Sequence, residues 1–254
     1  ANSVRMRESL IMNAIFKSGL FFDSNLFNIY DISDNNPSVK VEGGDILVIR
    51  DDILLIGNGS RTSSQGIDLI VEEFCKTGSG KKHVIVQQLP ESPESFIHLD
   101  MVFTMLDTNT AMVYKPLIMN SSPYQTVYMQ IEDGKVVKIS SSGGILNSLR
   151  KLGVDLEPVV CGGKADEWDQ EREQWHSGAN FLAIAPGKVI SYARNIHTLE
   201  ELSKNGFEIV TAQDVINEKY NLDTLSKCVI TIEGSELPRG GGGPRCMTMP
   251  LRRS

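Results

Sequence analysis

The sequence has no cysteines at metal-ligand spacing: Cys75, Cys161, Cys228 and Cys246 are scattered, without a Cys-x-x-Cys pair among them. That leaves no zinc motif and predicts reduced thiols in a cytoplasmic setting. An excess of positive charge is also missing. With 25 Lys and Arg against 32 Asp and Glu the formal charge is −7, which argues against nucleic acid or an acidic membrane surface as partner and leaves a cationic small molecule compatible. No apolar run approaches the ~20 residues a membrane span requires, so no membrane partner is expected and the chain should be soluble. What is present is ordinary for a globular protein: 254 residues, 41% hydrophobic and 22% charged, enough for a sizeable core.

Taken in order, Ser3 to Lys17 places Val4, Ile11, Ala14 and Ile15 near one face and predicts a helix capped by Ser3 and ended by Gly19. A short strand is expected at Leu26 to Tyr30. A pattern then begins that recurs. Gly43-Gly44-Asp45 introduces the apolar run Ile46 to Ile49, Asp51-Asp52 turns the chain, and Ile53 to Ile56 returns. Ser64 to Cys75 reads as an amphipathic helix with Ile67, Ile70, Val71 and Phe74 inward, and His83 to Gln88 as a strand, giving a ββαβ unit. A second unit runs from His98-Leu99-Asp100 through strands at Met101–Leu106 and Ala111–Tyr114, a helix at Ile145–Leu152 and a strand at Leu156–Val160, with a polar hairpin at Val127–Ile139 inserted. A third follows Gly178-Ala179-Asn180, with strands at Phe181–Ala185, Val189–Ala193 and Phe207–Thr211 and a helix at Leu199–Lys204. Asp214–Leu225 reads as one more helix, Cys228–Ile232 as a strand and Cys246–Leu251 as its partner.

Repetition at roughly fifty- to eighty-residue intervals suggests modules around an axis, each too small to bury its own apolar face. It puts Asp45, Asp100 and Asn180 at equivalent positions just before a first strand, where polar residues either converge on a common centre or simply cap and turn. The opening helix and strand look like the second half of a unit, so an N-terminal part of a longer chain is expected upstream.

Candidate chemistry gathers at strand mouths. Gly240 to Gly243 and Pro244 deliver Cys246, read as a nucleophile, which needs a base or cation to be reactive at neutral pH. Of four histidines, His98 is the best candidate for acid and base, with Glu42 orienting it. Glu42, Asp45 and Asp100 around one thiol require a cation, and a guanidinium, whose planar fork matches carboxylates, fits better than Mg²⁺ or Ca²⁺, which would leave the cysteine without a role. Arg61, in Gly-Ser-Arg-Thr-Ser, suits a substrate carboxylate.

The segments Val41-Glu-Gly-Gly-Asp-Ile-Leu-Val-Ile49, Gly59-Ser-Arg-Thr-Ser63, Ile97-His-Leu-Asp-Met-Val-Phe-Thr104 and Gly234 to Leu251 around Arg-Gly-Gly-Gly-Gly-Pro-Arg-Cys-Met-Thr-Met-Pro resemble arginine deiminase, a guanidine-modifying enzyme of the pentein fold. The resemblance implies an α/β fold, a five-bladed propeller of ββαβ units lacking its N-terminal portion, with residues 1–254 as a single catalytic domain. It implies Cys246 as nucleophile, His98 as acid and base, Glu42 and Asp100 on the guanidinium, Asp45 lining the site, and Arg61 with Arg5 on the substrate carboxylate. The partner would be L-arginine, hydrolysed to citrulline and ammonia with no cofactor and no metal; amidinotransferase chemistry, another guanidine substrate or a silent arginine-binding relative are the alternatives, and a homo-oligomer is left open. Two departures stand out. The family usually has arginine where this chain has Gly241, with Arg239 and Arg245 nearby as replacements, and the upstream motifs that bring another guanidinium-binding aspartate are absent.

Overall fold

The computed structural model describes residues 6–19, 27–29, 36–240 and 242–250. Twelve strands are seen in this part: β1 (Ile46–Arg50), β2 (Ile53–Asn58), β3 (Lys82–Gln88), β4 (Phe103–Asp107), β5 (Thr110–Val113), β6 (Thr126–Glu132), β7 (Lys135–Ser142), β8 (Glu157–Val160), β9 (Leu182–Ala185), β10 (Lys188–Tyr192), β11 (Glu208–Thr211) and β12 (Cys228–Ile232). They form three sheets, ordered β1-β2-β3-β6-β7, β4-β5-β8 and β11-β12-β10-β9.

Each sheet is built on the same motif. An antiparallel hairpin, β1-β2, β4-β5 or β9-β10, lays its second strand parallel to a strand that arrives after a helical crossover. A crossover is what a parallel neighbour requires, since a tight turn can join only antiparallel strands. The helix Ser64–Lys76 shows why its sequence folds there. Ser63 accepts the Gly66 amide as N-cap, and Ile67, Ile70, Val71 and Phe74 recur on one face and pack onto Leu54, Ile56, Val84 and Val86. Burying each such aliphatic side chain contributes about 1.5–3 kcal/mol.

The middle sheet is held from both sides. On β5, Ala111 and Val113 join the core shared with Leu47, Ile53, Leu55 and Ile85 of the first sheet, whereas Met112 between them joins the core shared with Val189 and Val229 of the third and with Phe181 just before it. Alternate side chains point to opposite faces of a strand, so this period of two buries one strand in two cores. The arrangement locks the chain segments preceding β1, β4 and β9 near one another.

Several expectations are corrected. The polar hairpin β6-β7 does not belong to the second unit; β6 pairs antiparallel with β3 and extends the first sheet. In the third unit β11 does not lie beside β10, because β12 inserts between them, parallel to both. With both edges of β12 occupied, the partner strand expected at Cys246–Leu251 does not form in its described part: residues 246–250 form a turn and irregular chain, and Leu251 lies outside the described residues. The helix expected at Asp214–Leu225 is broken: Ala212–Ile216 is helical, Glu218 adopts a left-handed φ of 56°, and Leu222–Thr224 is a 3-10 turn. The helix expected at Leu199–Lys204 begins earlier, at Ile196, and the helix Glu167–Trp175 was not foreseen. Residues 27–29 carry no strand; the rest of the Leu26–Tyr30 expectation, the cap at Ser3, Arg5 and Gly241 lie outside the described residues. Among the described residues there are three sheets, so they do not by themselves form a five-bladed ring. No helix among them is long and apolar enough to cross a membrane.

Candidate active site

Two short 3-10 turns build the centre. Gly43–Asp45 precedes β1 with Glu42 as its N-cap, and Leu99–Met101 lies just before β4 with His98 as its N-cap. Both N-cap residues are extended, with φ of −129° and −140°, which swings their side chains out of the turns and toward each other. Glu42 Oε2 and His98 Nε2 meet at 2.9 Å, and both residues are buried. Gly44 makes the approach feasible: a Cβ there would stand 2.7 Å from Cγ and Nδ1 of His98. Asp45 ties the two turns together, its Oδ1 accepting the Leu99 amide at 2.8 Å.

Asp100, fully buried, stands at the base. Its Oδ2 takes a charge-assisted bond from Arg245 Nη1 at 2.6 Å, and both its carboxylate oxygens lie 3.9 Å from Cys246 Sγ. Arg245 also donates from Nη2 to the Ile46 carbonyl at 3.1 Å. Arg61, at the rim, brings Nη1 within 3.5 Å of Glu42 Oε1. These groups face an open cleft of about 1340 Å³ that also reaches Trp175 and Met249.

The charges explain one another. For His98, burial works against the cation, but hydrogen bonding to Cys246 and Glu42 together with the negative charge of Asp45 and Asp100 prevails, and its pKa is raised to about 10. The imidazole is therefore a cation at neutral pH, a proton donor placed among carboxylates. Burial raises the Asp45 carboxyl to about 6, against the opposing pull of His98 and Thr62. Burial also raises Asp100, against Arg245 and His98. A thiol beside a cationic imidazole and a carboxylate able to hold a guanidinium can attack an electrophilic carbon bonded to nitrogens and return a proton to the nitrogen that leaves.

Glu42, His98, Asp100, Arg61 and Cys246 are thus brought together from positions far apart in the chain. Asp45 is close by but lies behind the cleft wall, with no exposed surface and its carboxylate turned to the Leu99 amide, so it does not line the cleft as expected. Arg5 lies outside the described residues. Sequence reasoning missed the grip of Arg245 on Asp100, although its position next to Cys246 was a signal. It also undervalued Asn180, whose equivalence with Asp45 and Asp100 in the repeat was the available clue.

The family model described as arginine deiminase matches residues 1–253. The arginine deiminase of Oenococcus oeni is 33% identical over 250 residues, covering 98% of this chain and 55% of that protein. That of Listeria innocua is 34% identical over 251 residues, with the same 98% and 55% coverage. The chain spans about half the length of the curated relatives it matches. Among solved structures, a mutant of DDAH from Pseudomonas aeruginosa complexed with citrulline superimposes with a TM-score of 0.54 at 18% identity, over 97% of this chain and 66% of that one. An inosamine-phosphate amidinotransferase from Streptomyces griseus gives a TM-score of 0.54 at 16% identity, over 100% and 63%. At such identities these two speak for a shared mixed α/β fold.

Proposed function

The chain belongs to the arginine deiminase family, and on that premise we propose that its site hydrolyses the guanidinium of L-arginine to L-citrulline and ammonia. The observation that carries the reading is that Asp100 already holds a guanidinium, that of Arg245, at 2.6 Å, with the Cys246 sulfur 3.9 Å from the same carboxylate. A substrate guanidinium exchanged for Arg245 at Asp100 puts its central carbon beside the thiol.

The reaction then runs in two halves. Cys246 Sγ, as thiolate, adds to the guanidinium carbon, forming a C–S bond and a tetrahedral adduct held between Asp100 and Glu42. His98, cationic, gives its proton to one terminal nitrogen, the C–N bond breaks, ammonia leaves, and an amidino-cysteine remains. His98, now neutral, takes one proton from water; the resulting hydroxide adds to the same carbon, collapse breaks the C–S bond and expels the thiolate, and the adduct's hydroxyl proton passes to solvent, leaving the ureido carbonyl of citrulline. One proton of the attacking water goes to His98 and the other to solvent, and the charge at the carbon stays between carboxylates throughout. Arg61, at the rim on the side of Glu42, is assigned to the substrate carboxylate, with Arg5 as a second contact. Asp45 serves from behind, fixing the two turns.

We assign the three sheets to a pentein-type five-bladed propeller within one catalytic domain. The recurring hairpin-helix-strand motif supports this, as does the greater length of the relatives, whose additional half would supply the remaining blades and a further carboxylate for the guanidinium. The test is a quenched reaction of the full-length protein with L-arginine. The peptide bearing Cys246 should gain the mass of an amidino group, and Cys246→Ala should lower citrulline formation by at least about 10³-fold. Undiminished citrulline formation by that variant, or transfer of the amidino group to an added amine instead of water, would overturn the proposal.

A further inference from the structure

The nucleophile sits in a loop with little regular structure, yet one buried side chain contacts it at three atoms. Asn180, fully buried just before β9, accepts at Oδ1 from the Arg245 amide at 2.9 Å and the Cys246 amide at 3.3 Å. Its Nδ2 donates to the Asp100 carbonyl at 3.2 Å and to Cys246 Sγ at 3.2 Å. A carboxamide has two acceptor and two donor positions, and all four are used. The orientation is unambiguous, since turning the amide over would set its NH₂ against two amide N–H groups and its oxygen against a carbonyl.

Asn180 is itself rigidly held. Its neighbours Ala179 and Phe181 are packed in the core between the second and third sheets, its amide donates to the Ser177 carbonyl at 3.0 Å, and the Thr104 hydroxyl donates to the Ala179 carbonyl at 2.8 Å. The loop is shaped to meet it: a Cβ on Gly243 would collide with the Asn180 carboxamide, and the Tyr192 hydroxyl fastens the preceding residue by donating to the Gly242 carbonyl at 2.8 Å. The third repeat therefore contributes to the centre through an amide placed where the first two repeats place carboxylates.

We propose that Asn180 is the positioning residue of the nucleophile: it fixes the Arg245–Cys246 backbone and aims one N–H at the sulfur, favouring its anionic form opposite Asp100. The titratable groups around the sulfur are His98, Asp100 and Tyr192, with Arg245 on Asp100; the Tyr192 hydroxyl is spent on the Gly242 carbonyl, whereas Asn180 gives the sulfur an uncharged N–H. An amide donor supports a thiolate without adding a cation that would compete for the carboxylates. The catalytic meaning of this rests on Cys246 being the nucleophile, whereas the ionisation of the thiol is measurable without substrate.

The experiment is the pH dependence of Cys246 alkylation by iodoacetamide, read from the mass of its own peptide because Cys75 is also partly accessible. Asn180→Asp keeps the shape and the acceptor but replaces the donor by an anion. The alkylation midpoint should rise by about one to two pH units, and the rate at pH 7 should drop about 10- to 100-fold. In turnover, kcat should fall with KM little changed. A folded Asn180→Asp protein whose midpoint lies within about 0.3 of the parent would overturn the proposal. Should that variant not fold, Asn180→Ala and Asn180→Ser are judged by the same criterion, and failure of all three to fold would assign Asn180 to the fold alone. A shifted midpoint in the variant, together with a parent protein that makes no citrulline, would uphold Asn180 and sink the arginine reading.

Discussion

Glu173 and Asp100, two buried carboxylates, each lie beside a cysteine, and they do opposite things. Glu173, on helix Glu167–Trp175, accepts the His197 and Thr198 amides at 2.9 and 2.8 Å and the Thr198 hydroxyl at 2.7 Å, capping helix Ile196–Lys204 from outside its own sequence. The Thr198 hydroxyl in turn reaches Cys161 at 3.7 Å, and burial pushes that thiol up to about 12. Asp100 is buried as deeply but turns its oxygens to a guanidinium and to Cys246 at the floor of an open cleft. Burial of a carboxylate near a thiol therefore does not make a site. What differs is where the acceptors point: those of Glu173 close a helix end, and those of Asp100 face a space that a ligand can enter.

Exchanging the charge of each carboxylate for an amide sharpens the contrast most. Asp100→Asn should lower kcat/KM for arginine by about 10³-fold or more, while the denaturation midpoint corresponds to a stability change within about 1 kcal/mol, because desolvation already disfavours the ion. Glu173→Gln should do the reverse. Its NH₂ would confront the donors at the helix start, costing about 2–4 kcal/mol of stability, with kcat/KM per folded molecule within about twofold. Similar activity losses in both variants would erase the distinction.

The next effect is a pH dependence confined to the site. His98 titrates near 10 in the folded protein against 6.5 unfolded, so the folded state binds its proton more tightly. The stability this contributes is fully present below about pH 6.5 and is lost as pH rises toward 10, by at most about 1.4 kcal/mol per pH unit. Urea denaturation of the parent and of His98→Gln across pH 6 to 10 should show a steeper decline in the parent. Equal slopes would mean that His98 holds no extra proton.

The smallest expected effect concerns Arg245. If its guanidinium stands where the substrate's must go, Arg245→Ala should lower KM for arginine about three- to tenfold, or about 0.7–1.4 kcal/mol. A raised KM in steady-state assays would instead make Arg245 a substrate contact.

Much of the fold was legible in the chain. The apolar runs of β1 and β2, the capped amphipathic helix Ser64–Lys76 and the recurrence of the unit follow from side-chain pattern and cap chemistry, which act over a few residues. The pairing of β6 with β3 was not legible, since both hairpin strands carry polar residues suited to either sheet. Nor was the insertion of β12, which left Cys246 to Pro250 without a strand to pair with. In the site, residue type and position before a strand pointed to Glu42, His98, Asp100 and Cys246, but the same signals could not separate Asp45, turned inward to an amide, from Asp100, turned to the cleft.

By itself, then, the sequence determined the local elements, the repeat and the kinds of chemistry available: a thiol, an imidazole, carboxylates and guanidinium groups at loop positions. Only the tertiary structure decided which of them meet. Glu42 and His98 are 56 residues apart, Asn180 and Cys246 66, and Asp100 and Cys246 146. Whether such groups act as caps, ties or a reaction centre depends on burial and on a few ångströms of separation, because charge and hydrogen-bond interactions are set by distance and local dielectric rather than by order in the chain.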